Sequence, residues 1–145
     1  MQLIGHYSSP FVRRVAVTAI ILGIDLEHRA LSVFREFDKI RAINPLVKVP
    51  SLLLDDGSML MDSSIIIDHL ESIANSKVEL MPRNADDVLK ARQLTAIALA
   101  VNEKTAAIVY ETSQRPADKQ HGRSEERRVG KECRIGCRSR CSPYH

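Results

Sequence analysis

Hydrophobic positions change their period several times along the first 75 residues, and each change marks an element. Leu3 and Ile4 follow Gln2 as a short apolar run, and the turn-forming stretch from His6 to Pro10 comes next. From Phe11 to Leu22 apolar side chains recur at helical spacing through Phe11, Val12, Val15, Ala16, Ala19, Ile20 and Leu22. Pro10 suits the first turn of that helix, where a missing N–H costs nothing, and Gly23 suits its stop. Glu27 to Ser32 reads as a second strand and Arg35 to Ile43 as a short polar helix ending before Asn44 and Pro45. Val49 to Leu54 is an extended apolar run; Asp55, Asp56, Gly57 and Ser58 then carry an Asp-Gly hairpin signal ahead of Met59, Leu60 and Met61. Asp62, Ser63 and Ser64 offer capping side chains before a helical face of Ile65, Ile66, Ile67, Leu70 and Ile73. The order β-α-β-α-β-β-α predicts an α/β (α+β) domain with a mixed four-stranded sheet.

Beyond it the pattern thins. Asn75 to Asp87 is polar, contains Pro82 and reads as a linker, and Val88 to about Thr112, rich in Ala and Leu, reads as one long helix. No later segment has matching periodicity, so that helix lacks a partner for its apolar side. Arg123 to Cys133 and Ser142 to His145 show no hydrophobic period and resemble a translated sequencing adapter joined to a gene fragment. The expected organisation is a sheet domain over 1–80, a linker and the first helix of a truncated helical domain over 81–115, and a disordered, artefactual tail over 116–145.

Composition and charge narrow the classes. With 145 residues, 44% of them hydrophobic, the chain has material for one domain and the beginning of another. No uninterrupted apolar stretch reaches the roughly 18 residues of a spanning helix, and the N-terminus lacks the basic and apolar regions of a secretory signal, so a cytoplasmic protein without a membrane partner is expected. The formal charge of +3 is misleading about partners. Residues 1–122 hold 14 Lys/Arg and 15 Asp/Glu, whereas 123–145 hold 7 and 3, so the body gives no electrostatic case for nucleic acid. Cys133, Cys137 and Cys141 all fall in the tail, at a spacing and in an odd number that suit neither zinc nor a closed disulfide framework; no metal is expected.

Ser8 and Ser9 stand at the start of the first helix, where unpaired N–H groups and the positive end of the dipole favour an anion. A thiolate is such an anion, and a serine hydroxyl donating to its sulfur lowers the thiol pKa. Asp62 and Ser63 open the third helix, where the N–H groups and the serine hydroxyl suit a carboxylate and the Asp62 carboxylate suits an ammonium. The competing reading in both places is a plain helix cap. His6 and His69 have no metal-ligand partner at useful spacing and read as structural or surface residues, and Arg13 and Arg14 on the first helix as salt-bridging residues within the fold. Neither a phosphate-binding glycine fingerprint nor a Cys-x-x-Cys redox site is present in the body.

Three clusters, Tyr7 to Arg13, Asn44 to Pro50 and Asp62 with Ser63, together resemble the glutathione S-transferase family over roughly residues 1–115. The likeness is to its serine-type, bacterial-like members and their N-terminal thioredoxin-like domain. The first cluster is similar to the family's Ser-Pro-Phe-Val element, which implies that Ser9 activates the glutathione thiol; other branches place the hydroxyl one residue earlier, which makes Ser8 the alternative. The second is similar to the Asn-Pro…Val-Pro stretch, with Val47 where many relatives carry glycine or a polar residue. It implies a cis Pro50, main-chain pairing of Val49 with the cysteinyl part of glutathione, and approach of Lys48 to the glycine carboxylate, although sequence alone predicts a trans bond. The third implies that Ser63 holds the γ-glutamyl carboxylate and Asp62, in place of the usual Glu, its ammonium.

The resemblance thus implies a transferase that conjugates glutathione, as co-substrate, to small electrophiles in detoxification, homodimeric at full length and weakly active or inactive as a fragment. The alternative is a catalytically inactive relative serving interaction or regulation, which would have no physical need for this set of residues. A free-standing thioredoxin-fold binding module is disfavoured by the unpartnered long helix.

Overall fold

A computed structural model describes residues 1–75 and 78–120; the three cysteines and the adapter-like stretch lie outside the described residues. Among the described residues four strands and four α-helices run in the order β1 (Gln2–Ile4), α1 (Pro10–Leu22), β2 (Glu27–Arg29), α2 (Phe37–Ile43), β3 (Ser51–Leu53), β4 (Met59–Met61), α3 (Ser63–Ile73) and α4 (Ala85–Ser113), with a 3-10 turn at Ala117–Lys119. The sheet order is β2-β1-β3-β4. β1 pairs parallel with β2, Leu3 opposite His28, while β1–β3 and β3–β4 are antiparallel, with Leu52 opposite both Leu3 and Leu60. This is the thioredoxin-like arrangement, an open mixed sheet followed by a helical segment.

Strand alternation divides the core between the two faces. Leu3 and Leu52 join Val12, Val15, Ala19 and Leu22 of α1 and Ile66, Ile67 and Leu70 of α3 in one buried cluster. Ile4 and Ser51, one residue out of phase, are fully buried with Ile40 of α2 on the other face. α1 ends as its sequence requires: Gly23 takes φ +71, its N–H donates to the Ile20 carbonyl at 3.1 Å, and Ile24 N–H donates to the Ala19 carbonyl at 2.9 Å.

Several element ends differ from the sequence-based ranges, each for a local reason. β2 stops at Arg29 rather than Ser32 because Leu31 N–H turns back onto the Arg29 carbonyl at 2.8 Å. α2 begins at Phe37 rather than Arg35: the Glu36 carboxylate takes the Ser32 N–H at 2.8 Å and holds residues 32–36 in a turn. β3 begins at Ser51, after Pro50, which has no N–H for the ladder. α4 starts at Ala85, three residues early, since Asn84 Oδ1 accepts from Asp86 N–H at 2.8 Å and two aspartates occupy its first turn.

The chain falls into two compact units, Met1–Ala91 and one beginning at Arg92. Among the described residues no residue of α4 is buried, and Leu89, Leu94, Ile97 and Val101 along it are exposed. Among the described residues no helix is long and apolar enough to cross a membrane.

Two backbone positions carry opposite strains. Gly5 sits at φ +134, and a Cβ there would lie 2.6 Å from Val12 Cγ2 and 3.0 Å from Val49 Cβ. Val47 has φ +51, costly for a β-branched residue. Gly5→Ala is therefore expected to destabilise the fold by about 1–3 kcal/mol, and Val47→Gly to stabilise it by about 0.5–1 kcal/mol. Urea midpoints at unchanged m-value check both.

Candidate functional site

The candidate site residues Ser8, Ser9, Lys48, Val49, Pro50, Asp62 and Ser63 all lie within the first compact unit, at the N-terminal ends of α1 and α3 and in the loop before β3. Ser9 is the N-cap residue of α1, with extended backbone (φ −74, ψ 122), yet its side chain makes no capping bond. Its carbonyl accepts the first helical N–H, from Arg13 at 3.1 Å. The N–H groups of Phe11 and Val12 precede that bond and have no helical carbonyl to donate to, while Pro10 has no N–H at all. A hydroxyl and two main-chain donors without a helical acceptor therefore stand at the positive end of a 13-residue helix.

Ser8, one residue earlier, is engaged differently. Its N–H donates to His6 Nδ1 at 3.1 Å, which makes that nitrogen an acceptor, and its hydroxyl lies 3.0 Å from the same atom and so donates to it as well. The Ser8 proton is spent on His6. Tyr7 between them stacks on His28, ring centroids 3.8 Å apart and planes within 11°, and His28 Nε2 donates to the Gly5 carbonyl at 2.8 Å. His6 and the stacked pair thus shape the turn that carries both serines, a role that sequence spacing did not indicate.

The loop before β3 is organised by one buried amide. Asn44 is fully buried, and its Nδ2 donates to the Lys48 carbonyl at 3.1 Å and to Ser51 Oγ at 3.0 Å, with Met61 Sδ at 3.7 Å. Its Oδ1 accepts from Leu46 N–H at 3.0 Å, its carbonyl from Val47 N–H at 2.9 Å, and Ser51 Oγ completes the set by donating to the Lys48 carbonyl at 2.8 Å. The chain is thereby folded so that Val49 packs beside Gly5, and the Val49–Pro50 bond is cis. Pro50 is buried, Val49 half-buried, and the Lys48 side chain exposed.

At α3, Asp62 is the N-cap residue, Oδ1 accepting from Ser64 N–H at 2.8 Å, in a sparsely populated conformation (φ +71, ψ 126). Ser63 is buried at 4% exposure. Its oxygen and that of Ser64 each accept a hydrogen bond of 3.0 Å from Nη1 of Arg14, which reaches across from α1. Neither α1 arginine forms the expected salt bridge among the described residues: Arg14 binds hydroxyls, and Arg13 donates to the Tyr7 carbonyl at 3.2 Å. The α1–α3 link tethers the Asp62–Ser63 cluster to the helix that begins at Ser9, and Gly5 with Val12 joins the Val49 loop to the same helix. A separate cavity of about 360 Å³, lined by Leu22, Glu71, Ala74 and Leu80 among others, lies at the C-terminal ends of α1 and α3, away from these groups.

Residues 3–78 match the model of the glutathione S-transferase N-terminal domain. The GST-like protein YibF of Escherichia coli (strain K12) is 32% identical over 120 residues, covering 83% of this chain and 58% of that protein. A glutathione S-transferase from Methylobacillus flagellatus KT, crystallised with GSH bound, superposes with a TM-score of 0.76 at 28% identity, covering 95% of this chain and 67% of the other. A second, from Methylobacterium radiotolerans in complex with glutathione sulfonate, gives 0.75 at 26% identity over 87% and 58%. The chain spans about half the length of the curated relatives it matches, 58% of YibF.

Asp62 combines a cap with an unfavourable φ, and the two can be separated. Asp62→Ala is expected to cost about 1–2 kcal/mol, losing the cap and keeping the strain. Asp62→Gly should cost less, because glycine accepts φ +71. Urea denaturation of both variants checks the order; equal losses would assign the whole effect to the cap bond.

Proposed function

The chain belongs to the glutathione S-transferase family, and on that premise we propose that it binds glutathione at the paired helix N-termini and, in the whole protein, conjugates its thiolate to small electrophiles. The observation that carries the reading is the uncommitted Ser9 hydroxyl at the uncapped start of α1. A sulfur held there accepts from Ser9 Oγ and feels the helix dipole, so the thiol loses its proton to water near neutral pH and the sulfur lone pair forms the bond to the electrophilic carbon, whose leaving group departs with its bonding pair, as halide ion from an aryl halide. Ser9 is favoured over Ser8 because the Ser8 proton already serves His6.

The remaining groups divide the tripeptide between them. The main chain of Val49 pairs with the cysteinyl unit, and Lys48, exposed beside it, reaches the glycine carboxylate. Ser63 and the N-terminus of α3 take the γ-glutamyl carboxylate. Asp62 keeps Oδ2 for the γ-glutamyl ammonium while Oδ1 holds the cap. The glutathione bound in one crystallised relative and the glutathione sulfonate bound in the other support this ligand. Residues 1–80 are read as the glutathione domain and 81–115 as the linker and first helix of a helical domain, whose remainder would complete the electrophile site and a homodimer.

Ser9→Ala is expected to raise the thiol pKa of bound glutathione, read from thiolate absorbance across pH, and to slow conjugation of an aryl halide by roughly 10- to 100-fold, the worth of one charge-assisted hydrogen bond. Ser8→Ala should have the smaller effect. The reverse order would transfer the role to Ser8, and a wild-type chain unable to bind glutathione would favour the interaction-protein reading.

A further inference from the structure

The turn from His6 to Ser9 is held by contacts that do not involve the His6 ring. Ser9 N–H donates to the His6 carbonyl at 3.0 Å, Arg13 Nη1 donates to the Tyr7 carbonyl at 3.2 Å, and Tyr7 stacks on His28. The exposed His6 ring serves one neighbour: its Nδ1 takes both the N–H of Ser8, at 3.1 Å, and the Ser8 hydroxyl, at 3.0 Å. A ring nitrogen that accepts has a single lone pair in the plane of the ring, so two hydrogens of one residue share it. The Ser9 hydroxyl, one residue later, makes no capping bond. Adjacent Cα atoms lie about 3.8 Å apart, so both hydroxyls belong to the same helix N-terminus, and what distinguishes them is the partner that Ser8 has.

We propose that His6 is a positioning residue that turns the Ser8 hydroxyl away from the thiol site, so that Ser9 alone donates to the sulfur and Ser8 is held as a latent second donor. The proposal rests on the glutathione reading above and deepens it: the imidazole, rather than the helix, decides between two adjacent serines. A hydroxyl has one hydrogen, and while Nδ1 accepts it the Ser8 oxygen can offer a nearby thiolate only its lone pairs, which repel the anion. Removing the acceptor frees that hydrogen, and rotation of Ser8 χ1 carries it to another staggered position. The contacts through the His6 and Tyr7 carbonyls and the Tyr7 ring remain when the His6 ring is lost, so the turn itself should persist. Asparagine at position 6 would keep an acceptor, because its Oδ1 is bonded to Cγ as Nδ1 is in histidine. Two substitutions of one residue are therefore expected to differ in their effect on Ser8.

The test reads the thiol pKa of bound glutathione, from thiolate absorbance across pH, on the full 145-residue chain. Ser9→Ala raises that pKa; His6→Ala/Ser9→Ala is expected to bring it back down by roughly one pH unit, a tenfold change in ionisation and the worth of one hydrogen bond to a charged group. Adding Ser8→Ala to the pair should abolish the recovery, which assigns it to the Ser8 hydroxyl. His6→Asn/Ser9→Ala should stay at the Ser9→Ala value, since the acceptor is kept. A ring that only supported the turn would act in the other direction, its loss raising the thiol pKa further or weakening glutathione. Should alanine at position 6 unsettle the turn, His6→Phe, which keeps a ring without the acceptor, gives the same reading. Absence of recovery in His6→Ala/Ser9→Ala and His6→Phe/Ser9→Ala, equal recovery in His6→Asn/Ser9→Ala, or a recovery that survives Ser8→Ala overturns the proposal. A Ser9→Ala chain with an unchanged thiol pKa, or a wild-type chain that does not bind glutathione, overturns the Ser9 reading itself and the role of His6 with it.

Discussion

The site depends on a side chain that is not there. At Gly5 the end of the first strand, the second residue row of α1 and the loop before β3 approach so closely that even a methyl group would collide with Val12 and Val49. The same residue's carbonyl anchors His28, on whose ring Tyr7 stacks, and its N–H donates to the Arg29 carbonyl at 3.0 Å, so Gly5 also ties the β2 edge to the turn that carries the serines. One backbone contact thereby sets the spacing between a helix N-terminus, an exposed main-chain segment and an aromatic pair.

Two helix N-termini meet in this region, and they are finished in opposite ways. α3 is capped by Asp62 and braced by Arg14, whereas α1 begins with a proline and a serine whose hydroxyl caps nothing. A helix that needed stability alone would use its serine as a cap, for which serine is among the better residues. Leaving Ser9 unused forgoes that contribution and keeps a donor and two N–H groups for the anion proposed to bind there. The buried cluster along α1 and α3 supplies the stability that the open end forgoes.

Much of this was legible in the sequence because it is local. The helical period from Phe11 to Leu22, the Asp-Gly hairpin and the capping residues before Ile65 each act within a few positions, and the elements formed where those signals lay. Strand and helix ends shifted where a short-range bond competed, as with Glu36 and Ser32 or Leu31 and Arg29. What the pattern did not show were partnerships across long sequence separations. Arg14 meets Ser63 and Ser64 across 49 and 50 positions, and nothing in helical spacing distinguishes an arginine that braces two serines from one that pairs with an acid. The cis bond at Pro50 was likewise visible only through resemblance, since an isolated Val-Pro pair favours trans.

Asn44 shows how narrow the chemistry of such a loop is. Its amide nitrogen faces a carbonyl and a hydroxyl that donates away from it, and its amide oxygen faces an N–H. Aspartate, of the same shape, would set an acceptor against acceptors and bring a charge into a fully buried position; leucine, of similar bulk, would leave the Lys48 carbonyl and the Leu46 N–H short of partners. Only a side chain that is donor at one tip and acceptor at the other closes the circuit. The segment from Pro45 to Pro50 is thus shaped by hydrogen bonds within the protein itself, and the tripeptide proposed to lie against Val49 would meet a template that is already cast.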